Sequence, residues 1–138
     1  MHVSADERLL SELDHVRLVG LLTRLTASRH DDATQDAHDL IVTSPTVPGT
    51  AVPPDLVTMR TRLLLRDAAG AEQTLTLVYP AEADVAQGCI SVLSPLGLSL
   101  LGCREGQTVQ WQGRDRVMHA GTVAKILYQP EAAGDYGT

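Results

Sequence analysis

A chain of 138 residues with 43% hydrophobic side chains can fill one core, but with 3% aromatics and no phenylalanine that core must be built from Leu, Val, Ile and Ala. The net charge of −6 repels phosphate backbones. Nucleic-acid affinity comes mainly from Lys and Arg displacing counterions, so direct sequence-specific nucleic-acid binding is not expected, whereas a protein partner with a basic surface is. The opening MHVSADERLL has no basic stretch leading into an apolar run, and no segment approaches the ~20 apolar residues that cross a bilayer; a cytoplasmic protein without membrane association is expected.

In chain order, residues 4–27 carry a helical pattern. Ser4 with Glu7 three residues on has capping-box spacing, and Leu9, Leu13, Val16, Leu18, Leu21, Leu22 and Leu25 recur at helical steps. Such a helix would be ~30–35 Å long. The polar SRHDD of residues 28–32 reads as a tip, followed by a weaker helix over 32–42 with Ala33, Ala37, Leu40 and Ile41 on its apolar side. A short polar connection between two helices predicts an antiparallel hairpin, a short coiled coil. TSPTVPGTAVPP, residues 43–54, holds four of the seven prolines and reads as a semi-rigid linker.

From residue 57 the period shortens. Segments 57–67 and 72–80 flank the turn DAAGA and predict a hairpin, and a short strand over 89–95 follows. Ser94, Pro95 and Gly102 bracket one short helix over 95–102: serine at the cap, proline at the first position, glycine at the end. Two further strands, 107–113 and 119–129, are joined by the turn GRDR. The fold class is therefore α+β, an N-terminal helical hairpin followed by an antiparallel sheet domain with one short helix. The expected division is 1–43, a linker over 44–54, and 55–138.

Few residues point to chemistry. His30, Asp31 and Asp32, with His38 further on, lack a third convergent anchor, so no metal and no cofactor are expected. Ser94 has no GxSxG context, and neither a GxxxxGK[ST] loop nor a GxGxxG fingerprint is present. Cys89 and Cys103 lack CxxC spacing and read as free thiols. Asp31, Asp32, Asp36 and Asp39 are explained by the favourable field at a helix start, or else form a carboxylate tip aimed at a partner. Trp111 belongs to the core or serves as a partner anchor.

SPLGLSLLG, residues 94–102, resembles the short helix motif of Gre transcript-cleavage factors, with Ser94, Pro95, Gly97, Leu101 and Gly102 in the same order. VPPDLVTMRTR (52–62), TLVYPAEAD (76–84), ISVLSPLGLSLLG (90–102) and ILYQPEAAGDY (126–136) resemble the Rnk-type nucleoside diphosphate kinase regulators more closely still. The resemblance implies an FKBP-like (peptidyl-prolyl-isomerase-like) C-terminal domain without isomerase activity. It implies a non-enzymatic regulator that binds RNA polymerase at the secondary-channel entrance and competes with Gre-type factors. Ser94, Pro95, Leu96, Gly97 and Leu101 form the expected docking element. Asp31 and Asp32 stand near the hairpin tip, where Gre factors carry acids that hold a catalytic magnesium; the short arm argues against cleavage here. The alternatives are a cleavage stimulator using those tip acids, or a protein-binding or dimerisation module with Leu10 and Leu21 in an intermolecular seam. A monomer is expected.

Overall fold

The computed structural model describes residues 8–28, 31–113 and 115–135. Ser4 and Glu7 lie outside them. The first described element is not helix but a two-residue strand, β1 (Leu10–Ser11), and helix α1 runs over Glu12–Ser28. At 17 residues it is ~26 Å long, shorter than the pattern suggested. The reason is a long-range bond: the Leu10 N–H donates to the Pro45 carbonyl at 3.0 Å, and β1 pairs in parallel with β2 (Thr46–Val47). The helix then starts from Ser11, whose hydroxyl oxygen accepts from the Asp14 N–H at 3.0 Å. Leu10, read as an exposed seam residue, is buried. Leu13 and Val16, read as part of the apolar stripe, are exposed, while Leu18 and Leu22 are fully buried.

Helix α2 (Asp32–Val42) matches its expected span. Asp31 caps it, its carboxylate accepting from the Thr34 N–H at 2.7 Å. Ala37 and Ile41 turn inward against α1. The proline-rich segment that follows is tied down at both ends. Pro45 accepts from Leu10, and the buried Gln129 amide donates to the carbonyls of Pro53 (2.8 Å) and Leu56 (2.7 Å).

The main sheet contains β3 (Arg62–Asp67), β4 (Glu72–Val78), β5 (Cys89–Ser91), β6 (Thr108–Gln112) and β7 (Met118–Tyr128), in the order β5-β4-β3-β7-β6. Strand β3 begins later than the apolar pattern from residue 57, because Thr58 to Thr61 close a turn: the Thr61 N–H donates to the Thr58 carbonyl and the Thr58 N–H to the Thr61 hydroxyl. The β3–β4 and β6–β7 hairpins are antiparallel, as expected. The sheet is nevertheless mixed. β5 pairs with β4 in parallel, because residues 79–88 loop back through two 3₁₀ turns and bring Cys89 beside Thr76, so that both strands run on in the same direction. Register shifts along β3–β7 bend the sheet, and the short helix α3 (Pro95–Leu100) touches both edge strands, β5 and β6.

A single buried cluster unites these parts. Leu18, Leu22 and Ile41 of the helical pair share it with Leu63, Leu77 and Val123 of the sheet. Its aliphatic make-up follows from the composition. Among the described residues no helix is long and apolar enough to cross a membrane.

Asp14 fastens α1 to the sheet. Its carboxylate, 5% exposed, accepts the Met59 N–H at 3.0 Å. Burial raises its pKa to about 6, Glu131 pushing the same way while the Met59 N–H, Ser11 and Arg17 pull it down. Against an ordinary value of 3.8, the native state holds this proton longer than the unfolded chain. The contribution is fully present below pH 3.8 and is lost as pH rises through about 6. Asp14→Asn keeps an acceptor for Met59 and removes the titration. Urea melts from pH 4 to 8 are expected to show wild type losing ~1–3 kcal/mol relative to Asp14→Asn across that interval, and parallel curves would refute the buried-carboxyl account.

Candidate functional site

Helix α3 is six residues long, and each end is fixed by something other than its own propensity. At the start, the Ser94 hydroxyl oxygen accepts from the Gly97 N–H at 3.0 Å while the hydroxyl donates to the Ser91 carbonyl at 2.7 Å. Pro95 occupies the first helical position, where no N–H is needed. Gly97 lies against β5 so closely that a Cβ would stand 2.0 Å from the Ser91 oxygen. At the far end Gly102 adopts φ +79°, and a Cβ there would meet Leu9 and Arg8 at 3.0–3.1 Å.

Arg8 completes this end. Its Nη1 donates to the carbonyls of Leu98 and, at 2.9 Å, of Leu101. These belong to the last turn, where carbonyls have no partner within the helix. The side chain is 7% exposed, and burial lowers its pKa, a shift partly opposed by Cys103. The chain that precedes α1 thus grips the helix that follows β5, as Leu9 also does through its N–H to the Gly102 carbonyl at 3.3 Å.

Beside α3, Leu96, Leu65, Trp111 and His119 line a cavity of about 310 Å³. Trp111 and His119 are directly paired across β6 and β7, and their rings stack with centroids 5.7 Å apart. The rim is acidic. Asp67 is held by the N–H groups of Ala69 (2.9 Å) and Ala71 (3.0 Å), and Glu72 pairs with Arg66 at 2.9 Å.

Of the five expected docking residues, Pro95 is exposed and Ser94 and Leu96 are half-buried, whereas Gly97 and Leu101 are buried. The last two can shape the surface only by holding α3 in place. Asp31 and Asp32 lie at the other end of the helical pair, exposed, Asp31 occupied as a cap. His30 lies outside the described residues. Among the described residues no group of three or more His, Cys, Asp or Glu side chains is placed to hold a metal ion. Trp111 is half-buried and packs on the core while facing the cavity. Its pairing with His119 was not countable from the GRDR turn, since closing the register on 113–116 would set 111 opposite 118; the Gly113 N–H bonds the Val117 carbonyl instead and moves the register on by one. Nothing local announced Arg8.

A mixed, bent sheet with one serine-capped helix between its edges is the architecture of a known class. The family model "Transcription elongation factor, GreA/GreB, C-term" matches residues 52–128, and the chain belongs to that family. It is 41% identical over 86 residues to the "Regulator of nucleoside diphosphate kinase" of Escherichia coli K12, a stretch covering 62% of this chain and 63% of that protein, less than two thirds of its length. It is 39% identical over 61 residues to the "Transcription elongation factor GreA" of Maridesulfovibrio salexigens, covering 44% and 38% of the two chains. Among solved structures, the "Prokaryotic transcription elongation factor GreA/GreB from Nitrosomonas europaea" superposes with a TM-score of 0.74 at 29% identity, over 88% of this chain and 99% of that one. The chain is thus a member of a family of transcription-related factors.

In a free helix alanine is ~1 kcal/mol better than glycine. At Gly97 the collision with the Ser91 carbonyl outweighs that gain. Gly97→Ala is expected to cost about 2–3 kcal/mol in urea unfolding; a variant as stable as wild type would show that α3 does not need this close approach.

Proposed function

We propose that this protein regulates transcription by binding RNA polymerase at the entrance of the secondary channel, where it competes with Gre-type factors and does not stimulate transcript cleavage. The observation that carries the reading is α3 itself. A six-residue helix is fixed at its start by Ser94 and at its end by Arg8, and it presents Pro95 and Leu96 beside the cavity lined by Trp111 and His119. A preorganised apolar element next to a half-filled pocket suits a partner's side chain, because little ordering entropy remains to be lost on binding. Residues 55–138 form the FKBP-like docking domain in this reading, residues 1–43 a short coiled-coil arm, and 44–54 the connection. The protein works as a cytoplasmic monomer.

Two observations support the absence of cleavage. The arm is short: α2, 11 residues, rises ~16 Å. The Asp31 carboxylate already accepts the Thr34 N–H, so ligating a distant metal ion would compete with its cap. Buried Leu10 likewise removes one half of the leucine seam that would favour dimerisation as the main role.

The test is displacement of a labelled Gre factor from core RNA polymerase. Wild type is expected to displace it at micromolar concentration or below, with no added cleavage in stalled complexes. Leu96→Ala and Trp111→Ala are expected to raise the half-displacing concentration about tenfold, as truncated interface anchors do. A folded wild-type protein that displaces nothing would remove the polymerase from the reading.

A further inference from the structure

A second surface, along the flank of α1, is unaccounted for by α3 and its cavity. An open groove of about 810 Å³ runs between α1 and the turn after β4. Its α1 wall carries Val16, Arg17, Leu21 and Arg24, and its other wall carries Arg60 and Tyr79. The chain has 11 Lys and Arg against 17 Asp and Glu. Three of those cations line this one groove, and no carboxylate lines it.

The cationic wall is built rather than incidental. Arg60 holds a left-handed φ of +67°, a conformation that non-glycine residues rarely adopt. Its N–H donates to the Leu77 carbonyl at 2.6 Å, its guanidinium lies 5.4 Å from the centre of the Tyr79 ring, and Glu82 holds it from outside at 3.0 Å. The Tyr79 hydroxyl is buried without a hydrogen bond of normal geometry, yet Arg17 stands near enough to favour its ionised form; burial and Asp14 outweigh that and raise its pKa. On the facing wall the Arg24 guanidinium lies over Gly20, its Nη1 3.7 Å from where a Cβ would stand, an ordinary contact distance. Val16, an apolar side chain 67% exposed, stands at the mouth.

We propose that this groove receives an acidic amphipathic segment of the protein partner, a second contact that rests on the partner-binding reading above and lies apart from the α3 face. The α1 stripe from Val16 to Arg24 is ~12 Å long, a little over two helical turns. Apolar side chains between cations complement an element that alternates apolar and acidic residues. A small phosphate ligand fits less well, because such pockets enclose most of their ligand and this groove is open along its length. The arginines set specificity and encounter rate, and Val16 and Leu21 supply the apolar contact.

The experiment uses Val16→Asp, Arg24→Glu and Arg24→Lys, all at exposed positions, with urea midpoints confirming the fold. In one arm, labelled full-length protein is titrated with core RNA polymerase. Arg24→Glu and Val16→Asp are expected to weaken binding about tenfold, and Arg24→Lys to stay within about threefold, with the Arg24→Glu deficit shrinking as salt rises. In the other arm, a synthetic Glu/Leu/Ala peptide of ~12 residues, about three turns, is compared with its Glu-to-Gln counterpart by NMR. The acidic peptide alone is expected to shift the amides of Val16, Gly20 and Leu21, and Arg24→Glu to abolish the shifts. Unchanged polymerase affinity in both variants, with no peptide shifts, overturns the proposal. So do shifts produced by inorganic tripolyphosphate and not by the peptide, and so does self-association that Arg24→Glu abolishes, which would make the occupant a second copy. If wild type fails to bind polymerase, the polymerase reading falls and the peptide arm alone decides the groove.

Discussion

The approach of Gly97 to the Ser91 carbonyl sets the position of everything around it. Any side chain larger than hydrogen would lift α3 from β5, and with it Leu100 and Leu101, which fill the middle of the core. Because α3 also touches β6, the same contact fixes how far the bent sheet closes, and so the width of the cavity between Leu96 and the Trp111–His119 pair. Ser94 and Arg8 act at the two ends of this contact. One supplies an acceptor to the first turn and the other supplies donors to the last, so a helix too short to be stable alone is held by its neighbours.

Charge is distributed with similar economy. The two buried charged side chains among the described residues, Arg8 and Asp14, both lie in the N-terminal stretch and both bond to backbone of the C-terminal part: Arg8 to carbonyls of α3, Asp14 to an N–H before β3. The helical pair is therefore joined to the sheet by polar bonds as well as by the common apolar cluster. Those bonds carry direction, which burial of leucines alone lacks, and they set the angle at which α1 leaves the sheet. The groove beside that helix is lined by three arginines, in a chain that is acidic as a whole.

What could be read from the residues was what local chemistry decides. The Ser94–Pro95 start and Gly102 end of α3, the DAAGA and GRDR hairpins and the span of α2 depend on neighbours within a few positions, and the structure repeats them. The departures have long-range causes. Leu10 lies within the segment read as helix, yet a hydrogen bond to Pro45, far along the chain, draws it into a strand and hands the capping role to Ser11. The direction of β5 was set by the return path through 79–88, not by its own three residues. In the candidate site, the Ser94 cap, Pro95 and the close-packed Gly97 were legible as a local helix motif, but the arginine groove joins α1 to the turns before β3 and after β4 and has no signature along the sequence.

The position of Trp111 makes the protein its own optical instrument. Trp111 is the single tryptophan, so red-edge excitation isolates one indole, and that indole sits in the wall of the cavity beside α3. A group entering the cavity or a shift of α3 changes the polarity around that ring and the stack it makes with His119, and because Asp31 and Thr34 of the helical tip share a cavity with Leu93, next to the cap of α3, a displacement of the tip that moves α3 reaches the same ring. Emission from the unlabelled protein therefore follows the position of α3 without any probe being attached.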